Sequence, residues 1–357
     1  MKKIISAVLI LFSASFAFAQ EVPQKPLTQT EYVKMLYVLD KNPGKKDELV
    51  EAIRKRGIGF ELTDGLRGLT RSKGRNDSDL QRTLEEAARR KENPERAKLP
   101  SEKESAEVLT KAREATLAAV EDMPDFVVKQ QIARSAAYAG TNNFRSLDRL
   151  VVAVSYRASG REEYKVLSRN GILENNPNPK QSYEEVGGTS STGEFVTVLA
   201  KIFKPESETK FELTDTDVIR TRRALVFDYS IERDKAQQVI TVGGGAVKDS
   251  TISGMKGKVW IDRENFRVLR VESAATEIPS DFVIRAAVRT VDYDWVTISS
   301  EKFLLPTLSD VRLTSKEDRQ MYETRNVIRF KDYQKYGSEV KILDGDEEEV
   351  IEEKPKP

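Results

Sequence analysis

The sequence predicts an α+β fold, in which a small helical domain precedes a large, curved antiparallel sheet. The sheet is expected to be an incomplete β-barrel of about ten strands covered by one to three helices. Apolar residues recur at helical spacing from Thr28 to about Lys91. From Phe126 onward they alternate with polar residues, which is the period of a half-buried strand. Links of hairpin length join the strands, so neighbouring strands are expected to run antiparallel.

The helical domain is predicted to span residues 28–91. Thr28 followed by Glu31 is a capping-box pattern, in which each side chain bonds the backbone N–H of the other residue. Gly57 lies directly after the second helix, where a glycine C-cap is favoured. The helices are expected to begin at Thr28, about Lys46, Thr63 or Asp64, and Asp77 or Ser78. Such a small bundle is typical of an interaction or spacer module.

The β domain is predicted to span residues 113–343. Leu225, Phe227 and Tyr229 alternate with the residues between them, which indicates a strand with one buried face. One helix, from Thr192 or Gly193 to Phe203, is expected to interrupt the strands, and Asp215-Thr216-Asp217 is predicted to be a turn. The strands are expected at 126–134, 150–156, 163–167, 225–231, 257–262, 267–272, 284–295, 302–305, 310–314 and 326–333.

The remaining segments flank or join these domains. Residues 20–27 are predicted to be a short linker, and residues 92–112 a highly charged linker that runs into a helix. The acidic block at 344–357 is expected to be a disordered tail.

The first nineteen residues have the features of a signal peptide. Lys2 and Lys3 precede an apolar run from Ile4 to Phe16, and Ala17-Phe18-Ala19 is a small-x-small cleavage site. Gln20 follows this site where a lipoprotein would carry Cys. The sequence therefore predicts a periplasmic or secreted protein that is not a lipoprotein. No later apolar run approaches the ~20 residues of a membrane helix, so no transmembrane segment is expected after cleavage.

The composition narrows the classes of function. The chain has no His and no Cys, so the commonest general base and the usual zinc, haem and iron–sulfur ligands are missing. We therefore expect no metal and no cofactor. The net charge of +1 argues against a nucleic-acid-binding protein, which carries a strongly basic domain.

Paired carboxylates are the strongest enzymatic signal that remains. Two carboxylates hydrolyse glycosides without histidine, and three such pairs are Glu162/Glu163, Asp215/Asp217 and Asp292/Asp294. Asp292 and Asp294 alternate with apolar neighbours, however, which predicts the solvent-exposed face of a strand. No catalytic residue is therefore assigned, and a hydrolase acting on cell-wall glycans remains the less favoured hypothesis.

Aromatic and aliphatic side chains of the β domain are candidates for the lining of an apolar pocket. A large curved sheet covered by few helices does not easily fill its concave face with side chains. The pocket candidates are Leu225, Phe227, Tyr229, Trp260, Leu269, Val271, Tyr293, Trp295 and Phe303. The candidates for a covering helix are Phe195, Leu199 and Phe203.

Residues 118–343 resemble the LolA/LolB-like lipoprotein-carrier superfamily and its secreted bacterial relatives. The resemblance is carried by Gly257–Asp262 (GKVWID), Arg267–Glu272 (RVLRVE), Val291–Asp294, Phe303–Pro306 and Phe330–Tyr336. It implies a curved, incomplete antiparallel barrel with helices over its open side, holding acyl chains or another apolar ligand. The helical domain has no counterpart in those carriers.

Together these observations predict an exported, non-enzymatic carrier that holds a hydrophobic or lipid-like ligand in a half-barrel. The helical domain would contact an envelope protein. The alternative is an envelope structural or assembly protein that binds only protein partners.

Overall fold

The computed structural model describes residues 25–95, 98–173, 189, 194–195, 197–244 and 247–336. The predicted signal peptide and the acidic tail lie outside the described residues. The chain divides into two compact units after Glu92, here called the helical unit and the sheet unit. None of the described helices is long and apolar enough to span a membrane.

The described part of the helical unit contains four α-helices. They are α1 (Gln29–Lys41), α2 (Lys46–Arg56), α3 (Asp64–Lys73) and α4 (Ser78–Glu92). The predicted capping box is present, since the Glu31 N–H donates to Thr28 Oγ1 and the Thr28 N–H donates to a Glu31 carboxylate oxygen at 2.8 Å. The Thr28 N–H and the Thr28 hydroxyl, which both donate to this carboxylate, lower the pKa of Glu31 to about 2. Gly57 ends α2 with a φ of 66°, as the C-cap prediction requires.

Apolar side chains from all four helices share one core. Tyr32 is fully buried, and its hydroxyl lies 2.6 Å from Oγ1 of Thr70. Leu27, from the predicted 20–27 linker, is also fully buried and forms a parallel bridge with Ile58. The core residues are Leu27, Tyr32, Leu36, Leu39, Leu49, Val50, Ile53, Ile58, Phe60, Leu66, Leu80, Leu84 and Ala87.

The sheet unit begins with a long helix, α5 (Glu102–Glu121), which leads into the strands. The elements that follow are β1 (Phe126–Tyr138), β2 (Arg145–Tyr156), β3 (Glu162–Arg169), β4 (Ile172–Leu173), α6 (Thr197–Phe203), β5 (Lys210–Ile219), β6 (Arg222–Ile231), α7 (Arg233–Ala236), β7 (Gln238–Gly244), β8 (Val247–Asp262), β9 (Val268–Thr276), β10 (Ile284–Ile298), β11 (Glu301–Glu317) and β12 (Gln320–Lys335).

All of these strands belong to one antiparallel sheet. The strand order is β4-β3-β2-β1-β12-β11-β10-β9-β8-β6-β5, and β7 pairs with the first half of β8. The outermost strands, β4 and β5, do not pair with each other in this order, so the curved sheet is open. The α+β prediction is confirmed, with twelve strands in place of about ten.

The predicted turn at Asp215-Thr216-Asp217 is wrong, because these residues lie inside strand β5. Asp215 and Asp217 are buried, and each carboxylate accepts a hydrogen bond from the N–H of the next residue, Thr216 and Val218. These contacts occupy backbone N–H groups of an edge strand. Carboxylates in this position protect a sheet edge against further pairing.

The two strands predicted at 302–305 and 310–314 are one continuous strand, β11. Pro306 lies between the two predicted segments and pairs with Tyr293, next to a register shift between Asp292 and Tyr293. The β11–β12 pairing begins only at Leu308, so Pro306 does not have to donate a ladder hydrogen bond to β12. A bulge therefore accommodates the proline within the strand.

The helix predicted from Thr192 or Gly193 is shorter than expected. It begins at Thr197, and Glu194 and Phe195 form a turn before it. Residues 191–193 lie outside the described residues. The end at Phe203 is as predicted, and Pro205 follows in a short 3₁₀ turn.

Candidate functional site

One face of the sheet is packed against α5 and α6, and we call it the inner face. Side chains from strands β6, β8, β9 and β10 form one apolar cluster with Val108 and Ala112 of α5 and Ile202 of α6. The inner-face strand residues of this cluster are Leu225, Phe227, Tyr229, Ile231, Met255, Val259, Ile261, Val268, Val271, Val291 and Tyr293. This face is thus a continuous apolar surface beneath two helices.

Most of the predicted pocket residues meet on this face. Five of the candidates are buried in the cluster, together with the covering-helix residues Leu199 and Phe203. These five are Leu225, Phe227, Tyr229, Val271 and Tyr293. Phe303 and Phe195 belong instead to a neighbouring cluster on β1, β2, β11 and β12. Register connects the two clusters on one face, because Val291 pairs with Ser309 and Ser309 pairs with Ile328.

Trp260 and Leu269 lie on the opposite face of the sheet, which corrects their assignment to the same pocket. Trp260 stands between Val259 and Ile261, both of which are on the inner face, so its side chain points the other way. It packs with Leu269 and Val226, and its Nε1–H donates to Asp217 at 2.9 Å. Strand alternation separates Trp260 from Val259 and Ile261, whereas Leu269 reaches this face through the register shift between β8 and β9.

Trp295 lies at the margin of the inner face and is 44% exposed. Its ring is 5.9 Å from the guanidinium of Arg267, which is within cation–π range. Arg267 in turn donates to the backbone carbonyl of Ala115 in α5. Trp295 pairs with Leu304 of β11. The exposed indole therefore marks the edge of the covered surface.

A small cavity opens between α5, α6 and the sheet close to Trp295. Its volume is about 20 Å³, which is room for about one water molecule. The lining residues are Thr116, Ala119, Val120, Met123, Phe195, Leu199, Arg267, Val268 and Leu304. Arg267 is the charged member of this lining. The cavity therefore combines an apolar wall with one cation.

Phe195 closes the cavity on the side of β1 and β12. It is 1% exposed, and its ring centroid lies 5.3 Å from that of Phe126 and 5.6 Å from that of Phe330, both in edge-on geometry. Tyr156 is the next ring, at 5.9 Å. Such pairs are worth about 0.5–1.5 kcal/mol each beyond their buried area. Phe195 is thus held by packing in the described structure.

Tyrosine hydroxyls on the inner face are bonded to backbone carbonyls. Tyr229 donates to the carbonyl of Glu272 at 3.1 Å, and Tyr293 donates to that of Glu194 at 3.2 Å. Burial raises the pKa of Tyr229 and of Tyr293 well above the usual range of a phenol. On α6, burial and the nearby charge of Arg289 lower the pKa of Lys201. Both tyrosine side chains are buried, so little water reaches their hydroxyls.

Gln130 and Ser309 are polar exceptions on the inner face that the sequence analysis missed. Gln130 on β1 is fully buried, and neither its amide nitrogen nor its amide oxygen has a hydrogen-bond partner among the described residues. The hydroxyl of Ser309 on β11 is in the same situation. Each buried unsatisfied group costs about 1–3 kcal/mol. The signal was available in the sequence, since Gln130 alternates with Val128 and Ile132 on one face of a predicted strand.

The predicted solvent-exposed pair Asp292 and Asp294 differs in burial. Asp292 is buried and accepts two hydrogen bonds from Arg270, at 2.6 and 2.9 Å, which corrects its expected exposure. Asp294 pairs with Arg220 at 3.2 Å. The alternation itself holds, since Val291 and Tyr293 lie on the inner face and Asp292 on the opposite one, but Arg270, its register partner on β9, covers Asp292 there. Both carboxylates are thus engaged by guanidinium groups.

The other carboxylate pairs are also placed in strands. Glu162 and Glu163 are consecutive on β3, so their side chains lie on opposite faces. Asp217 bonds Trp260 on the face away from α5 and α6. Within the described residues, no group of three or more carboxylates is placed to hold a metal ion.

Comparisons with known proteins give weak similarities only. No protein-family model and no curated protein matches the sequence. A DUF1329 family protein from Desulfovibrio piger is similar over 67% of this chain and 96% of its own length, with 9% identity and a TM-score of 0.27. MucB in the Pseudomonas aeruginosa MucA/MucB complex is similar over 62% and 93%, with 9% identity and a TM-score of 0.17. A second MucB structure, in complex with periplasmic MucA, covers 61% and 93%, with 10% identity and a TM-score of 0.15. TM-scores this low do not establish a shared fold.

Proposed function

We propose that this chain is an exported, non-enzymatic binding protein that holds the apolar part of an amphipathic ligand against the inner face. The observation that carries the proposal is the cavity between α5, α6 and the sheet, whose wall is apolar apart from Thr116 and Arg267. An apolar wall with one cation matches a hydrocarbon chain that ends in an anionic group. Trp295 lies beside that cation, at the exposed margin of the site.

The ligand would enter by displacing Phe195 and Leu199. The cavity of about 20 Å³ is too small for an acyl chain, so these two lining side chains must move to admit one. α6 is only seven residues long and ends two residues before Pro205, so few helical hydrogen bonds resist a shift. A bound chain would replace the displaced side chains on the same apolar surface. That exchange keeps the inner face covered throughout.

The absence of catalysis is part of the proposal. Asp292 is the more buried carboxylate of the pair Asp292 and Asp294, and both of its oxygens accept hydrogen bonds from Arg270. Both oxygens of this carboxylate are thus engaged within the sheet and are not free to contact a substrate.

Lipid extraction followed by mass spectrometry of the purified full-length protein tests the proposal. We expect an amphipathic lipid at a molar ratio approaching one, and we expect the delipidated protein to bind an apolar naphthylamine dye. Arg267→Gln should weaken binding of laurate more than binding of methyl laurate, because only the former is anionic. The matched control is Arg263→Gln on the neighbouring turn, which pairs with Glu104 and does not line the cavity. Protein that carries no lipid and takes up no dye would refute a carrier.

A protein-binding scaffold is the second candidate, and the small cavity favours it. Side chains of α5 and α6 already fill most of the described inner face, as in an ordinary core. In this case a partner would bind elsewhere, and α1 of the helical unit exposes Tyr37 and Val38 side by side. A lipid-free, dye-negative protein that loses a partner in the variant Tyr37→Ser/Val38→Ser would establish this function.

A further inference from the structure

Two fully buried polar side chains on the inner face have no described partner for their hydrogen bonds. Gln130 offers an amide N–H donor and a carbonyl acceptor, and Ser309 offers a hydroxyl that does both. Both residues are fully buried. Buried polar side chains are almost always bonded, so each exception requires an explanation.

The register places both residues on the same face, on either side of β12. Gln130 pairs with Phe330, and Ser309 pairs with Ile328, two residues away on the same strand. Strands are about 4.8 Å apart, so the two Cα atoms are separated by roughly 10–12 Å. The long glutamine side chain shortens that gap to the size of a small polar group. A ligand that lies across Phe330 and Ile328 of β12 on this face would therefore pass both polar side chains.

The surroundings of Gln130 are apolar and lie next to Phe195. Its register neighbours are Phe330 on β12 and Val152 on β2, and both belong to the cluster that contains Phe195. Phe330 itself contacts the ring of Phe195. The displacement of Phe195 that a ligand requires would thus open space beside Gln130.

We propose that Gln130 and Ser309 form a polar subsite for the hydroxyl- or amide-bearing part of an amphiphile. A group that both donates and accepts hydrogen bonds satisfies the amide of Gln130 and the hydroxyl of Ser309 together. A plain hydrocarbon or a simple ester satisfies fewer of these atoms, because it has no donor. This inference rests on the proposed function and names the class of ligand that the inner face prefers.

Competition against the naphthylamine dye tests the subsite in the full-length protein. The probes are glycerol monolaurate, which has two hydroxyls, and methyl laurate, which has none. We expect the wild type to prefer glycerol monolaurate by about tenfold, the worth of one or two neutral hydrogen bonds. Gln130→Met should abolish most of this preference, because it weakens the binding of glycerol monolaurate more than the binding of methyl laurate. Ser309→Ala should reduce the preference by a smaller factor.

Gln131→Met is the matched control, since Gln131 is also a glutamine, follows Gln130 in β1 and lies on the opposite face of the sheet. Its preference for glycerol monolaurate should equal that of the wild type. Gln130→Met should also unfold at the same urea concentration as the wild type or at a higher one, because it removes unsatisfied atoms. Equal affinity of the wild type for both probes, or an unchanged preference in Gln130→Met, would overturn the subsite and leave the proposed function standing. Failure of the dye and of both probes to bind would refute the subsite together with the proposed function.

Discussion

Phe195 is the side chain whose truncation tests the packing of the inner face most sharply. It is 1% exposed and contacts Phe126, Tyr156 and Phe330 at centroid distances of 5.3, 5.9 and 5.6 Å. Phe195→Ala removes all three ring contacts and leaves a void that joins the existing cavity. A buried Phe→Ala change costs about 3–5 kcal/mol, to which three aromatic contacts at about 0.5–1.5 kcal/mol each contribute.

Urea unfolding followed by tryptophan fluorescence measures this cost. The chain has 2 tryptophans, Trp260 and Trp295, and both are in the sheet unit, so the signal reports that unit alone. With a slope of about 3 kcal/mol per molar urea, the midpoint should fall by about 1–2 M. Leu147→Ala is the control, since Leu147 is 59% exposed and its loss should change stability by no more than roughly 0.5 kcal/mol.

For Phe195→Ala we also expect tighter ligand binding, although the variant is less stable. Because the void adjoins the cavity, Phe195→Ala should bind the naphthylamine dye more tightly than the wild type under conditions where both are folded. A decrease of less than about 1 kcal/mol in the free energy of unfolding would show that Phe195 is not packed as described. A large loss with unchanged or weaker dye binding would refute the placement of the ligand beneath this residue.

Further predictions concern residues away from the ligand surface. Trp260→Phe removes the hydrogen-bond donor to Asp217 and should lower the free energy of unfolding in urea by about 1–3 kcal/mol. The affinity for the dye should not change, and a changed affinity would indicate that ligand binds on the face of Trp260 instead of the inner face. The ion pair with Arg134 lowers the pKa of Asp148, so this carboxylate stabilises the fold above about pH 3.9, its unfolded pKa, and the contribution is lost as the pH falls towards the lower folded pKa. Asp148→Asn should therefore be less stable at pH 7 and should show a shallower loss of urea resistance between pH 5 and about pH 2; an unchanged acid profile would contradict the assignment. Gly257→Ala should lower the free energy of unfolding by about 1–3 kcal/mol, because a Cβ at this position would clash with the backbone carbonyl of Glu272 on β9. A variant as stable as the wild type would show that β8 and β9 can move apart without cost.

Periodicity predicted the elements whose polar and apolar residues are cleanly separated. The alternation of Leu225, Phe227 and Tyr229 identified both β6 and its inner face, and the capping box at Thr28 located the first turn of α1. Strand β5 was missed because Asp215 and Asp217 suggest a turn by composition. Their actual role, bonding backbone N–H groups at a sheet edge, depends on tertiary position. Local sequence carries no signal for it.

The candidate site was predictable in part, and a bulge and tertiary packing explain the rest. Alternation places Trp260 opposite Val259, yet its aromatic character had grouped it with the inner-face residues. Leu269 was grouped with Val271 because a bulge cannot be read from alternation, and Asp292 was expected to be exposed because the covering of its face by Arg270 depends on strand pairing. Arg267 and the cavity that it lines depend on the packing of α5 and α6, which brings together residues far apart in the chain.

Quenching of single-tryptophan variants by dibrominated stearate is the most direct test of where a ligand binds. Bromine quenches an indole only at contact distance, and the two tryptophans lie on opposite faces of the sheet. Trp295 is beside the cavity, whereas Trp260 is on the opposite face. We expect saturable quenching in Trp260→Phe, which retains Trp295, and little in Trp295→Phe. Saturable quenching of Trp260 alone, or of neither tryptophan, would contradict ligand binding at the inner face.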